Sequence, residues 1–171
     1  MDADAAVTTG RANRLEALYS EHIDSAVRLA FLVTGDEQQA QDVAQEAFVR
    51  IAGRFHDLRS PDAFPAYLRT TVLNLCRGHL RRLRTQREYL WRHGRDEEAA
   101  ETAAGADARD EMWRALRRLP YRQRAALVLR YYEDLSERQA ADALGCSLSA
   151  VKSLVSRGLD ALRAEMEGGR R

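Results

Sequence analysis

The chain is short of the residues that staple, kink or anchor a protein: among 171 residues there are 2 cysteines, 3 prolines and 10 glycines. Cys76 and Cys146 lie far apart and form no CxxC pair, which argues against a disulfide framework or a structural zinc site. The four histidines, His22, His56, His79 and His93, include no HExxH. Cys76 and His79 stand at i, i+3 but lack an obvious third ligand, so no metal and no other cofactor is expected. Long apolar runs are missing too. The longest, Leu29 to Val33, falls far below the roughly 20 residues of a membrane span, so no membrane insertion is expected. The opening stretch MDADAAVTTG carries two acids and no apolar core, unlike a secretory signal, and a cytoplasmic location is expected. What remains is 45% hydrophobic and 31% charged, rich in Ala, Leu and Arg: an all-α protein with room for one ordinary domain or two small ones.

The net charge of +1 conceals a pattern. Residues 1–51 hold nine acids and four bases, and 69–95 hold eight arginines against Glu88 alone. Residues 96–111 hold seven acids against Arg109, and 112–171 hold twelve bases and seven acids. Two basic blocks separated by an acidic, Ala-rich stretch suggest two nucleic-acid-facing modules and a linker. Lys152 is the only lysine among 27 basic residues, and arginine suits bidentate phosphate contact.

Apolar residues at Leu15, Leu18, Tyr19, Ile23, Val27, Ala30 and Phe31 have helical spacing, predicting a helix over 13–33. Gly35 can close it in a left-handed conformation, and Asp36 with Gln39 can open the next, over 36–54. That second helix is expected to bury Ala40, Val43, Ala44, Ala47, Phe48 and Ile51. A loop, FHDLRSPDAF, leads through Ser60 and Pro61 to a third helix over 63–92, with Pro65 in its first turn. Tyr67, Leu68, Val72, Leu75 and Leu80 form its apolar side. The pattern then dissolves into HGRDEEAAETAAGADARD. The organisation expected is a tail over 1–12, a first domain over 13–94, an acidic flexible linker over 95–110, a second domain over 111–166 and a tail over 167–171.

In the second domain Trp113, Leu116 and Leu119 precede Pro120, and Ala125, Leu127, Val128, Leu129 and Tyr132 continue a helical stripe. Ser136 and Gln139 have capping-box spacing. Counting Glu137 as position one, Ala141 falls at five, Gly145 at nine and Val151 at fifteen. A helix-turn-helix needs a small residue where its helices cross, a glycine for the positive φ of its turn and a β-branched plug for its core. Cys146 reads as a buried turn residue. A second helix, capped by Ser147 and reaching Ala164, has Leu148, Val151, Val155, Leu159 and Leu162 on its apolar side. Ser149, Lys152, Ser153, Ser156 and Arg157 make a small, hydroxylated and cationic face suited to the major groove.

Both halves resemble one family, the sigma-70-like initiation factors of bacterial RNA polymerase, in the compact extracytoplasmic-function branch. RLAFLVTGD, QQAQDVAQEAFVRI and PDAFPAYLRTTVLNLCRGHLRR resemble sigma region 2, a helical bundle. LPYRQRAALVLRYYEDLSERQAADALGCSLSAVKSLVSRGLDALR resembles sigma region 4, a helix-turn-helix domain. The resemblance covers residues 15–90 and 111–162. It implies a non-enzymatic promoter-specificity subunit whose partners are core RNA polymerase (clamp coiled coil and flap) and promoter DNA, with an anti-sigma factor left open. DVAQEAF resembles the surface that docks on the clamp coiled coil, which assigns core contact to Asp42, Gln45, Glu46 and Arg50. LRTTVLNLCRGHLRR resembles the segment that recognises and opens the −10 element, which assigns Arg69, Asn74, Arg77, Arg81 and Arg82 to DNA. The loop from Phe55 to Phe64 would take an unstacked base. The recognition-helix face would read the −35 element.

Three positions depart from the family pattern. Gly78 stands where Asp is common, and a helical glycine costs about 1 kcal/mol relative to alanine. Gln139 replaces a common Glu but still serves a capping box. Leu154 stands where Arg is frequent, which removes one phosphate contact. Two other readings compete. A stand-alone LuxR-like helix-turn-helix regulator would bind duplex DNA without polymerase, but it leaves QEAF and LNLCRGHLRR unexplained. A helical metal-dependent hydrolase using His22, His56, His79 and Cys76 lacks paired carboxylate and histidine spacing.

Overall fold

A computed structural model describes residues 2–53, 63–92 and 108–168. Among these there are seven α-helices, one π-helical turn and no strand: α1 (Asp2–Thr34), α2 (Glu37–Ala52), α3 (Phe64–Arg92), α4 (Ala108–Arg118), α5 (Tyr121–Leu127), the π turn Val128–Tyr132, α6 (Glu137–Leu144) and α7 (Leu148–Gly168). The chain divides into two compact units, residues 1–72 and 73–171, with the division inside α3. Residues 54–62, which hold His56 and most of the expected base-accepting loop, and 93–107, which hold most of the expected linker, lie outside the described residues.

In the first unit, α1 begins at Asp2 rather than Asn13, since the alanine-rich opening contains no proline to stop it. Gly35 sits at φ 81°, and its amide donates to the Phe31 carbonyl at 2.8 Å, closing α1. The Asp36 carboxylate then accepts from the Gln39 amide at 2.9 Å and caps α2. This tight reversal sets α2 back against α1. The residues α2 buries are Ala40, Val43, Ala44, Ala47, Phe48 and Ile51, the set its periodicity predicts. The Phe48 ring meets Tyr19 edge-on at 4.9 Å and Phe64 at 5.8 Å. Phe64 is fully buried and also stacks on His22 at 5.4 Å. Phe64 is therefore a core residue opening α3, and the expectation that it joins a base-accepting loop is corrected.

In α3, Pro65 falls in the first turn as its missing amide requires, and Leu68, Val72 and Leu75 are buried. Tyr67 is exposed instead, while Leu73 and Cys76 are buried in its place. The buried arc of the helix is thus rotated toward Leu73 and Cys76.

The second unit is organised by close helix crossings. Pro120 caps α5, and the π turn follows it with the Glu133 amide bonded back to the Val128 carbonyl at 3.0 Å. The five-residue spacing of that bond rotates the side chains that follow, and Tyr132 points outward at 53% exposure rather than continuing the apolar stripe. The Arg130 guanidinium donates to the Leu135 carbonyl and closes the turn into α6. Ser136 and Gln139 form a reciprocal capping box, and Gly145 takes the left-handed conformation (φ 59°, ψ 48°). Ala141 and Val151 are buried as a helix-turn-helix requires, whereas Cys146 is half-buried and not sealed in the turn. Leu148 is exposed, being in the first turn of α7 and beyond the reach of the core. Leu154 is buried, so its side chain fills the core rather than leaving a gap in a phosphate-facing row.

Gly158 is the residue that brings α5 and α7 together. A Cβ added there would lie 3.1 Å from Leu127 Cδ1 and 3.4 Å from Gln123 Cβ, and Leu127 is itself buried. Gly158→Val is expected to destabilise the protein by about 2 kcal/mol through overpacking, read as a lower midpoint in urea unfolding.

A polar cluster is also buried in this unit. The Tyr121 hydroxyl donates to the Leu73 carbonyl at 2.7 Å, and Arg124 donates to the Arg117 carbonyl at 3.1 Å. Burial pushes the Cys76 thiol up to about 12, raises the Tyr121 phenol and lowers Arg124. Cys76 is thus held as a neutral, buried thiol.

Candidate nucleic-acid interface

Three helices present the side chains singled out in the sequence. On α7, Ser149, Lys152, Ser153, Ser156 and Arg157 are all exposed, while Val151, Leu154 and Gly158 are buried behind them. The helix turns every 3.6 residues, so residues 149, 152, 153, 156 and 157 share one side. Ser147 fixes the start, its hydroxyl accepting from the Ala150 amide at 3.2 Å and lying 3.1 Å from the Ser149 hydroxyl. Arg157 Nε donates to the Ser153 carbonyl at 3.2 Å, which lays the guanidinium along the helix. Lys152 Nζ lies 3.6 Å from Glu137 at the start of α6, so the first helix of the motif sets the position of this cation. Glu137 carried no signal of its own in the sequence beyond its place in the first turn of a helix.

On α3, Asn74, Arg77, Gly78, Arg81 and Arg82 are exposed and spaced over i, i+3, i+4, i+7 and i+8, one broad side of the helix. Arg69, two turns before Arg77, is half-buried. Arg81, Arg82, Thr85, Gln86 and Tyr89 line a shallow depression that continues the same side. Tyr89, 61% exposed, is an aromatic surface among arginines that sequence reasoning missed. Its signal was available, since it stands seven and eight residues from Arg82 and Arg81.

On α2, Asp42, Gln45, Glu46 and Arg50 form an exposed face opposite the buried set. Arg50 donates to Glu46 at 2.6 Å and Gln38 donates to Asp42 at 3.2 Å, so the face is ordered by its own pairs. Val49, also unforeseen, is 71% exposed among these polar groups at i+3 from Glu46 and i+4 from Gln45.

Among the described residues no group of three or more His, Cys, Asp or Glu side chains converges as a metal site would require. No described helix is long and apolar enough to cross a membrane.

Comparison with known proteins matches two family descriptions to these elements: "Sigma-70 region 2" over residues 18–86 and "Sigma-70, region 4" over residues 109–162. An RNA polymerase sigma-E factor of Streptomyces avermitilis is 33% identical over 144 residues, covering 84% of this chain and 80% of the relative. The ECF RNA polymerase sigma factor SigX of Bacillus subtilis is 26% identical over 161 residues, covering 89% and 83%. Among solved structures, the sigma factor RpoE of Bartonella quintana, in complex with the anti-sigma factor NepR, superposes with a TM-score of 0.72 at 21% identity, covering 89% of this chain and 96% of that one. CnrH, in complex with the cytosolic domain of CnrY, gives 0.67 at 25% identity, covering 96% and 94%.

Proposed function

Since the chain belongs to the sigma-70 family, in its extracytoplasmic-function branch, and has RNA polymerase sigma factor function, we propose a division of labour among its three exposed faces. The α2 face, Asp42, Gln45, Glu46 and Arg50 with Val49, docks on the clamp coiled coil of core polymerase. The α3 side, Asn74, Arg77, Arg81 and Arg82 with Arg69, engages the −10 element and holds it open. The α7 face, Ser149, Lys152, Ser153, Ser156 and Arg157, enters the major groove at the −35 element. The first role belongs to a domain over 13–94, the last to a domain over 111–166, and the acidic linker over 95–110 carries neither. The chain acts by binding and not by catalysis, in the cytoplasm, where polymerase and DNA are.

The observation that carries this reading is the pairing of a capped helix-turn-helix with a second, separate cationic helix side in one chain. A LuxR-like regulator needs only the first, and the region 2 match disfavours that alternative. The similar sigma factor RpoE, solved in complex with an anti-sigma factor, supports a regulator of that class as a further partner.

Asn74 supplies the test. Its amide is exposed on the cationic side of α3 and can both donate to and accept from a base edge. Asn74→Ala holoenzyme is expected to initiate about tenfold less well on a linear promoter, and a pre-melted bubble should restore only part of the loss. Wild-type initiation by Asn74→Ala on linear duplex would refute the −10 assignment to this helix.

A further inference from the structure

Three glycines inside or at the ends of the helices have different structural reasons. Gly145 takes a positive φ, and Gly158 admits a neighbouring helix. Gly78 has neither reason. It sits in the middle of α3, and a Cβ built there would meet nothing within 4 Å. The fold would accept alanine at this position, and alanine would favour the helix. The bare backbone is therefore a feature of the surface. It lies at the centre of the exposed side of α3, with Asn74 one turn before it, Arg81 and Arg82 one turn after it, and Arg77 beside it.

Among these longer side chains Gly78 is a notch. A nucleic-acid strand crossing the helix can approach the backbone more closely there than at any position bearing a Cβ. Close approach at that point brings phosphates on either side of the notch within reach of the Arg81 and Arg82 guanidinium groups, and a base toward the Asn74 amide.

We propose that Gly78 is a positioning residue for promoter DNA: its missing side chain seats a deoxyribose of the −10 strand between Asn74 and the Arg81–Arg82 pair. This inference rests on the −10 role proposed for α3.

The test compares Gly78→Ala and Asn74→Ala as holoenzymes on one promoter fragment, selected by wild-type holoenzyme from a random-sequence duplex library. Opening is read by permanganate reactivity of the −10 thymines, and stability by thermal unfolding of the free chain. Gly78→Ala is expected to raise Tm by about 2–4 °C while lowering opening about tenfold, with core polymerase affinity unchanged. A stabilised protein with impaired opening is a combination that a purely structural glycine would not produce. Wild-type opening by Gly78→Ala beside impaired opening by Asn74→Ala would overturn the notch and leave the −10 face standing. Wild-type opening by both would overturn both. A lowered Tm for Gly78→Ala would assign the glycine to packing and overturn the proposal as well.

Discussion

Replacing Lys152 and Arg157 together by alanine is expected to weaken promoter engagement by about a hundredfold and to reduce the salt dependence of binding by about two ion equivalents. Both cations are exposed, five residues apart at the two edges of the α7 face, with Ser153 and Ser156 between them. A phosphate neutralised by either one releases about one counterion, so two lost contacts should appear as a shallower slope as well as a lower affinity. Lys152 must leave Glu137 to reach DNA, but a half-exposed pair at 3.6 Å is worth little and opposes binding only weakly. The loss should be equal on closed duplex and on a pre-opened template, since the upstream element is double-stranded in both. Titration of holoenzyme on both templates at several salt concentrations checks this. An unchanged slope would move the phosphate contacts off this helix.

The second large effect is expected at α2. Glu46→Lys reverses a charge at the centre of the exposed face and turns its 2.6 Å pair with Arg50 into a repulsion. Within the folded chain the consequence is small, because both partners are about half exposed and such a pair contributes no more than about 1 kcal/mol. Helix content by circular dichroism should be unchanged. On the proposed docking of α2, Glu46 pairs with a cationic group of core polymerase, so the reversal is expected to lower affinity for core about a hundredfold. Val49→Asp should weaken the same association by desolvating a carboxylate at an apolar contact. Binding of labelled protein to core polymerase measures both, and wild-type affinity for Glu46→Lys would remove the α2 face from the interface.

Much of this architecture was legible in the sequence wherever periodicity and capping acted together. The buried set of α2 follows from a single apolar stripe bounded by Gly35 and Asp36. The α6–α7 turn follows from Ser136, Gln139 and Gly145, each required by a specific backbone geometry. Legibility failed where the helix changed pitch or ended. The π turn rotated Tyr132 outward, and the first turn of α7 left Leu148 in solvent. It failed also where hydrophobicity says nothing of partners. Phe64 stands where the expected base-accepting loop meets the third helix, and only the placed neighbours show that its ring is held by His22 and Phe48. Leu154 was weighed as a missing cation when its side chain fills the core.

The α7 face is legible from its chemistry and spacing, whereas the α2 and α3 residues are singled out by the family resemblance; the structure leaves all of them exposed, apart from the half-buried Arg69. What no linear pattern contained was the context of a residue across helices. The pairing of Lys152 with Glu137 and the contact of Gly158 with Leu127 each join helices far apart in sequence or separated by a turn. The opposite condition at Gly78, open space around a helical glycine, is equally invisible until the neighbours are placed.

The most direct measurement of the central claim is runoff transcription with core RNA polymerase on a genomic fragment library, with and without this chain. The account predicts discrete transcripts only when the chain is present, sharing −35 and −10 sequences upstream of their starts, and their marked reduction in both Asn74→Ala and Lys152→Ala/Arg157→Ala. Tight, sequence-specific duplex binding by the chain alone, with no polymerase-dependent transcripts, would contradict it.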